Sequence, residues 1–409
     1  MRLLAGTTIA LLLAAAVPAQ GKNLLFYGNS YTFLVWGYGV PEVVEWIATE
    51  AGHPTPNVTQ ALIGGSNLSM HAADPGQVAA ISTLPAGQTW DHVVIQGHSL
   101  NATPYFGFSV PQFRADAVTI AGNVRAHSPN ADAVLYQTWA RAHGSPLHYP
   151  SPWVDPMAMH QMVRGNYDLA VADINATFGA GTAQKAAVGD AIALLEWDPI
   201  WYDPDLSHPT AAMSMMAGMV IYTSIYGGRV CDVQVDWNNP QSPLVAGLAS
   251  QGLGEAAWNL FRGLADRSAH PQNRRYPGSG DHLLLRSAID AAPLSACPVE
   301  TITTGSQIQV ELRSMNGVYD GAMGFLGIDF FATNAAPGAS ATWPEFQIDT
   351  TRSAFLPIAP LSTPLVAQLQ LPFTLPGYSL LVQGGALQAS GETGNAVFTT
   401  TDAHELVFQ

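Results

Sequence analysis

The sequence has few charged residues, and fewer of them are basic than acidic. Only 11% of the 409 residues are charged, and 30 acidic residues against 15 basic ones give a formal charge of −15 at pH 7. An acidic surface repels the phosphates of nucleic acids and of anionic lipids. The composition therefore excludes nucleic acid and anionic membranes as expected partners. Abundant glycine and proline are typical of a loop-rich folded chain rather than a disordered one.

Long apolar runs are also missing, apart from one at the N-terminus. Residues 1–19 carry Arg2, an apolar run and a cleavage-like site that ends at Ala19, which together predict a secretory signal peptide. A membrane anchor needs about 18–20 apolar residues, and this run is shorter. Later in the chain, residues 213–221 come closest to such a run. We therefore expect a secreted chain, extracellular or periplasmic, with no membrane span.

Cysteine is rare, with only Cys231 and Cys297 in the chain. In a chain bound for an oxidising compartment, these two residues either form a disulfide or remain two unpaired thiols. A disulfide would join the end of the first predicted domain to the module that follows. The sequence leaves both alternatives open.

The first part of the chain alternates predicted strands with predicted helices. The strands are expected at residues 24–28, 58–63, 91–96, 133–136 and, more weakly, 186–188. The helices are expected at residues 40–51, 112–125, 156–178, 210–226 and 253–264. Strands separated by helices pair in parallel through right-handed crossovers. The pattern predicts an α/β domain with a parallel sheet of about five strands.

The composition and the hydrophobic pattern of the sequence change near residue 275. Residues 274–280 are rich in arginine, glycine and proline, which is typical of a linker. Short alternating runs follow, separated by proline and glycine, at residues 307–312, 365–371, 379–382 and 405–408. This pattern predicts a small all-β sandwich. We expect a signal peptide at 1–19, an α/β domain at 20–275 and a β-sandwich module at 276–409.

Two short motifs carry the residue types of nucleophilic catalysis. Ser30 follows the first predicted strand in a Gly-Asn-Ser turn, and a serine hydroxyl needs a base to become a nucleophile. His208 supplies a base that works near neutral pH, and Asp205 lies three residues before it. Asp203 is a rival for the orienting carboxylate. Each motif also has a purely structural explanation, because serine stabilises turns and Asp205-x-Ser-His can cap the following helix.

These motifs resemble those of the SGNH (GDSL-like) hydrolases, over roughly residues 22–230. The resemblance includes Gly-Asn-Ser-Tyr-Thr at 28–32, Gly-Gly-x-x-Leu at 64–68 and Gln-x-x-Ser at 96–99, and it is closest to a little-characterised bacterial branch. It implies a three-layer α/β/α, flavodoxin-like domain and a secreted esterase with a Ser-His-Asp triad. It is silent on the C-terminal module, which only loosely resembles β-rich modules appended to secreted bacterial proteins.

The resemblance also implies roles for individual residues. Ser30 would be the nucleophile, His208 the general base and Asp205 the orienting carboxylate. The backbone amides of Ser30 and Gly65 would bind the oxyanion of the intermediate, although Gly65 is equally well explained as a turn glycine. The third oxyanion donor of most SGNH hydrolases is an asparagine in Gly-x-Asn-Asp. That motif is missing here, and the side chain of Gln96 is the expected substitute.

Asn101 is the second choice for that third donor. The expected substrate pocket includes Asn29 and Tyr31 beside the nucleophile, and Trp139 and Arg141 after the fourth strand. Trp139 and Arg141 would form a sugar-stacking wall and a carboxylate contact, or else they are a half-buried aromatic ring and a surface charge.

No cofactor or metal is expected. The spacings of His98, His143 and His148 match no zinc signature, and phosphate-binding glycine loops are missing from the sequence. The favoured function is hydrolysis of a small ester, an acetyl group on a carbohydrate being the resemblance-based choice. The competing hypotheses are a non-catalytic extracellular glycan-binding protein on the same fold, and a lipase or thioesterase.

Overall fold

The computed structural model describes residues 20–33, 38–269, 271–333, 335–340, 342–351, 353–356, 358–372 and 375–409. The predicted signal peptide at 1–19 lies outside these described residues. Within them, no helix is both long and apolar enough to cross a membrane.

A five-stranded parallel sheet forms the centre of the first part of the chain. Its strands are β1 (Asn23–Gly28), β2 (Asn57–Leu62), β3 (His92–Ile95), β4 (Asp132–Tyr136) and β5 (Ala183–Ala186), in the order β2-β1-β3-β4-β5. This is the flavodoxin-like order, in which the chain reverses its direction of progress between β1 and β3. Loops that follow those two strands therefore meet at one crevice, where such folds bind ligands.

Helices cover both faces of this sheet. They are α1 (Val40–Glu50), α2 (Leu68–Ala73), α3 (Pro75–Ala79), α4 (Val110–His127), α5 (Pro156–Phe178), α6 (Val188–Ala193), α7 (Ala211–Tyr226), α8 (Pro243–Ser250) and α9 (Glu255–Ser268). Helices α1, α7 and α9 pack together, and α2, α4 and α5 form a second group. Right-handed crossovers place the two groups on opposite faces. The result is the predicted three-layer α/β/α architecture.

The sheet and α7 are buried for a reason that the sequence shows. β1 is apolar in four of its six positions and buried in all six, because both faces of a parallel sheet are covered. Twelve of the sixteen residues of α7 are buried, since the helix contacts α1, α9 and the sheet at once. These elements form the rigid base from which the loops at the carboxyl edge of the sheet project.

The fifth strand was predicted at the wrong place. The apolar run at 186–188 favoured a strand there, but the structure has β5 at Ala183–Ala186 and starts α6 at Val188. β5 contains Gln184 and Lys185 and pairs only with β4. An edge strand is partly exposed and tolerates polar residues, so its hydrophobic signal is weak.

Two further sheets form the C-terminal part of the chain. Their strands are β6 (Leu283–Ile289), β7 (Val299–Ile302), β8 (Gln307–Ser314), β9 (Met323–Ala332), β10 (Ala354–Phe355), β11 (Ala359–Pro360), β12 (Leu365–Gln370), β13 (Tyr378–Ala386), β14 (Thr399–Thr400) and β15 (His404–Phe408). One sheet has the order β12-β8-β6 and the other β10-β9-β13-β15-β7, with β11 and β14 at its sides. Leu285 and Val310 of the first sheet share a core with Leu380 and Leu406 of the second. This packing is that of a β-sandwich.

The two parts of the chain are joined covalently and by ion pairs. Cys231 and Cys297 form a disulfide, with their Cα atoms 5.7 Å apart, which decides between the two alternatives that the sequence left open. Cys231 follows α7, and Cys297 precedes β7. Arg164 of α5 also donates to both carboxylate oxygens of Glu392, at 2.5 and 2.9 Å.

Candidate active site

The turn after β1 is held in place by one asparagine. The backbone oxygen of Asn29 accepts from the N–H of Thr32 at 2.8 Å, and its side-chain oxygen accepts from the N–H of Tyr31 at 3.0 Å. Its side-chain nitrogen donates to the carbonyl oxygen of Ser66 at 2.9 Å, which ties the loop after β1 to the loop after β2. Asn29 is buried and fully engaged. It therefore shapes the turn that presents Ser30, rather than lining a pocket as expected.

Ser30, His208 and Asp205 form a hydrogen-bonded chain. The Oγ atom of Ser30 lies 2.8 Å from Nε2 of His208, and Nδ1 of His208 lies 2.5 Å from Oδ2 of Asp205. An ionised carboxylate only accepts, so Nδ1 must carry the ring proton in this pair. In the neutral ring Nε2 is then an acceptor, and the Ser30 hydroxyl donates to it. This is the arrangement that a general base needs.

Asp205 rather than Asp203 contacts the ring. Oδ1 of Asp205 also accepts from the backbone N–H groups of Ser207 and His208, both at 2.9 Å. Partial burial raises the pKa of Asp205, but the hydrogen bonds from His208 and Ser207 outweigh it and lower the pKa overall. The helix cap suggested for this motif is supplied instead by Thr210, whose hydroxyl accepts from the third residue of α7.

An aromatic stack supports the loop that carries His208. The ring of Tyr31 lies parallel to that of Trp139, with centroids 4.4 Å apart, and meets the His208 ring edge-on at 5.3 Å. The Tyr31 hydroxyl contacts Oγ of Ser207 at 2.6 Å, and the indole N–H of Trp139 donates to the Ser207 carbonyl oxygen at 3.2 Å. Trp139 is completely buried. Neither ring is an open sugar-stacking wall, and both hold the histidine loop from behind.

Arg141 is not the surface charge that the sequence offered as one alternative. It is only 4% exposed and donates to the hydroxyl groups of Tyr31 and Ser99. In the described part of the chain, no acidic side chain lies within ion-pair distance of it. A buried cation without a counter-ion is costly, so the hydroxyl groups must carry its solvation. Arg141 thus places a positive charge beneath the site.

Two backbone N–H groups near Ser30 are free to donate. Within the described residues, neither the Ser30 N–H nor the Gly65 N–H takes part in a hydrogen bond. Gly65 is exposed in the turn after β2 and has φ of +70°, a conformation that favours glycine. The N–H of Ile63, at the start of that turn, donates to the carbonyl of Gly28 at 3.0 Å. The two turns that bear the free N–H groups are therefore adjacent.

The expectation for Gln96 does not fit the structure. Its side chain is completely buried, and Oε1 accepts from the N–H of Asn29 at 2.8 Å and from the hydroxyl of Thr32 at 2.9 Å. Its side-chain nitrogen donates to the carbonyl of Gly97. The amide thus braces the turn of Ser30, and it is not available to a substrate.

Asn101, the second choice for the same role, is buried as well. Its side-chain oxygen accepts from the N–H of Leu68 at 3.1 Å, which joins the loop after β3 to the start of α2. Reasoning from sequence also missed Ser207, which anchors the histidine loop to Tyr31 and Trp139. The sequence signal for this role of Ser207 was its position between Asp205 and His208.

The three histidines that invite a metal hypothesis are engaged separately. Nδ1 of His98 accepts from the N–H of Leu100, and Nδ1 of His148 contacts the hydroxyl of Ser145 at 2.9 Å. The ring of His143 packs edge-on against Trp197. Across the described part of the chain, no group of three or more His, Cys, Asp or Glu side chains is arranged to hold a metal ion.

One cavity in the described residues lies away from Ser30. It has a volume of about 470 Å³ and is lined by α5, β5 and α6 on one side and by the β-sandwich on the other. Its charged side chains pair with one another, as Lys185 does with Asp168 at 2.7 Å and Arg164 with Glu392. The Arg164–Glu392 pair joins the two parts of the chain. In contrast, Ser30 is half-buried at an open edge, where the side chain of His208 is 38% exposed.

Comparisons with known proteins give similarities in structure only. No family model and no curated protein matches the chain. A solved structure of a proposed SGNH hydrolase from Slackia heliotrinireducens is 21% identical and covers 50% of this chain and 100% of its own, with a TM-score of 0.38. A DUF4886 family protein from Bacteroides uniformis is 15% identical, covers 57% and 94%, and has a TM-score of 0.42. A carbohydrate acetylesterase from Sinorhizobium meliloti is 16% identical, covers 50% and 98%, and has a TM-score of 0.34.

Proposed function

We propose that this protein is a secreted serine esterase of the SGNH type that hydrolyses a small ester through an acyl-enzyme. The observation that carries the proposal is the chain of hydrogen bonds from Ser30 through His208 to Asp205. Two segments about 180 residues apart supply these groups, and they meet at the carboxyl edge of a parallel sheet, where α/β folds place reactive groups. The SGNH-like motifs of the sequence include the same residues.

Each residue has a defined task in this reaction. Oγ of Ser30 attacks the ester carbonyl carbon while its proton passes to Nε2 of His208, and the carbonyl π electrons move to the oxygen. The free N–H groups of Ser30 and Gly65 donate to that oxyanion. His208 then protonates the leaving alcohol. Water repeats the sequence on the acyl-enzyme and releases the acid, while Asp205 keeps the ring oriented throughout.

The loops after β3 and β4 expose apolar side chains at the same edge of the sheet as Ser30. Phe106 is 52% exposed, Leu147 74% and Val154 71%, and these residues lie in loops that follow β3 and β4 at the same edge of the sheet. The Phe106 ring lies 5.3 Å from the ring of His148. Exposed aromatic rings bind the apolar faces of sugars, so an acetylated carbohydrate is the proposed substrate class.

Release of p-nitrophenol from its acetate ester tests the reaction, and labelling by a fluorophosphonate tests the nucleophile. We expect the full chain to turn over the ester and to be labelled, and Ser30→Ala to lose both. Ser66→Ala is a suitable control, since Ser66 is a buried serine of the neighbouring loop with no contact to His208. Labelling that survives Ser30→Ala unchanged would remove Ser30 from its role.

The same measurements separate the esterase from a glycan-binding protein. A binding protein on this fold would retain glycans but show no turnover at any pH. Comparing acetate with longer acyl esters separates an acetylesterase from a lipase or thioesterase, because the proposal expects the rate to fall as the acyl chain lengthens.

A further inference from the structure

The loop after β3 is where a third donor to the oxyanion is expected. Gln96 uses both amide atoms inside the fold, whereas Asn101 uses its side-chain oxygen to accept from the N–H of Leu68. Ser99 is buried and accepts from the guanidinium of Arg141 at 2.8 Å. His98 of the same loop is partly exposed.

The loop that carries His98 lies beside the loop that carries Ser30. β1 and β3 are adjacent parallel strands, with Tyr27 opposite Ile95, and the N–H of Gln96 donates to the carbonyl of Tyr27 at 2.9 Å, one step further on. Beyond the strands the two loops remain in contact, since the N–H of Asn29 donates to Oε1 of Gln96 at 2.8 Å. Arg141 also donates to the hydroxyl groups of both Tyr31 and Ser99. The strand order reverses here as well, where the fold opens a crevice between the two loops.

The ring of His98 is held in one orientation and one tautomer. Nδ1 accepts from the N–H of Leu100 at 3.2 Å, so the proton of the neutral ring is on Nε2. The ring also stacks on Phe108, with centroids 4.9 Å apart and planes 18° apart. Nε2–H is therefore a fixed donor on the partly exposed side of the loop.

The surroundings of His98 keep its ring neutral. Burial, as the largest cause, together with the charge of Arg141 and the nearby His208, lowers the pKa of His98 to about 4. A neutral ring keeps its Nε2 proton and does not compete with His208 as a base.

We propose that the Nε2–H group of His98 is the third donor to the oxyanion that forms when Ser30 attacks the ester. The inference rests on the proposed esterase function. His98 gains and loses no proton: its hydrogen bond strengthens as negative charge builds on the carbonyl oxygen and relaxes when the carbonyl re-forms. A donor of this kind acts on the transition state more than on bound substrate, so its loss lowers kcat rather than raising KM.

The test compares His98→Phe with His98→Gln. Phenylalanine keeps a planar ring to stack on Phe108 but has no N–H, whereas glutamine keeps a neutral N–H donor. We expect His98→Phe to lower kcat for p-nitrophenyl acetate by about 10²-fold with KM nearly unchanged, since that is the usual loss for one oxyanion donor. His98→Gln should recover at least half of that loss on a logarithmic scale. Melting temperatures of both variants should stay near that of the wild-type chain.

Other outcomes would overturn the proposal or indicate a different role for His98. If His98→Phe keeps the wild-type kcat, or if His98→Gln is as slow as His98→Phe, His98 is not a donor and the proposal is overturned. A purely structural role would lower the melting temperature of both variants and would not distinguish glutamine from phenylalanine. A wild-type chain that neither turns over the ester nor reacts with fluorophosphonate would overturn the esterase itself, which is a different result from a fully active His98→Phe.

Discussion

Asp205 binds His208 at two points, through the ring Nδ1–H and through the backbone N–H. One carboxylate therefore sets both the tautomer of the ring and the turn that carries it. Because Oδ1 also accepts from the N–H of Ser207, the loop keeps two of its three contacts even when the ring contact is changed. The two effects of Asp205 can thus be separated by substitution.

Asp205→Asn should leave the loop folded but favour the wrong tautomer of His208. The asparagine oxygen can still accept from the backbone, whereas its N–H₂ group favours an unprotonated Nδ1. We expect kcat to fall about 10³- to 10⁴-fold, as for removal of the carboxylate's effect in serine triads, with little change in melting temperature. Asp203→Asn is the matched control and should stay near wild type, because Asp203 contacts His208 only through its backbone N–H. Equal losses in the two variants would contradict the assignment.

The charge of Arg141 should be measurable at a neighbouring histidine. Burial lowers the pKa of His148 to about 4, and the Arg141 charge contributes in the same direction. Arg141→Met should therefore raise the pKa of His148, while Arg141→Lys keeps the charge and should leave it low. Histidine-selective NMR titration measures this directly. A His148 that titrates identically in both variants would show that Arg141 does not act on it.

Gln96 should matter for stability as well as for activity. Gln96→Ala leaves the N–H of Asn29 and the hydroxyl of Thr32 without their acceptor in the interior. An unsatisfied buried group costs about 1–3 kcal/mol, so the free energy of unfolding should fall by at least that amount in urea denaturation. Gln60→Ala, at an exposed glutamine of β2, is the control and should change it little. Unchanged stability in Gln96→Ala would contradict the bracing role.

Local sequence patterns predict most of the α/β domain because its buried elements have strong signals. β1 and α7 are apolar in nearly every position that the layers cover. The prediction fails where burial is partial, as at β5, and in the module, where β6, β7 and β9 were not predicted from sequence. These strands depend on partners far away in the chain, which a local pattern does not contain.

In the candidate site, too, some features were predictable from sequence and others were not. Ser30, Asp205 and His208 were predicted from their residue types and their resemblance to the SGNH motifs, and the structure places the three side chains in one hydrogen-bonded chain. The orientation of Gln96, Trp139 and Arg141 was not predicted, since each is decided by contacts with residues 40 to 110 positions away. A motif identifies which residues are present near a strand end, but not which of them turn inward.

The disulfide should contribute strongly to stability. Cys231 and Cys297 are 66 residues apart, and closing a loop of that length restricts the unfolded chain by about 4 kcal/mol in the chain-entropy description. The double variant Cys231→Ala, Cys297→Ala should lose an amount of that order in denaturant unfolding. Glu392→Gln, which removes a partly exposed ion pair between the same two parts, should lose at most about 1 kcal/mol. Similar losses in both would mean that the disulfide does not restrict the unfolded chain.

Asp266 should make the stability of the folded chain fall as pH rises. It is buried in α9, where its carboxyl oxygens accept from the N–H groups of Val230 at 2.7 Å and of Cys231 at 2.9 Å. Burial raises its pKa to about 7, although the two N–H groups act in the opposite direction. In the unfolded chain an aspartate titrates near 3.9, so between about pH 4 and pH 7 the folded state holds a proton that the unfolded state has released.

By linkage, stability then decreases across that interval and levels off above it. Asp266→Asn removes the titration. It also weakens one hydrogen bond, a cost that is the same at every pH, so the difference between two pH values is the informative quantity. We expect the wild-type chain to lose more free energy of unfolding between pH 5 and pH 8 than Asp266→Asn does. Glu255→Gln, at an exposed carboxylate of the same helix, should keep the wild-type difference. An Asp266→Asn variant with that same difference would show that Asp266 is ionised in the folded state throughout, and that its two backbone donors outweigh burial.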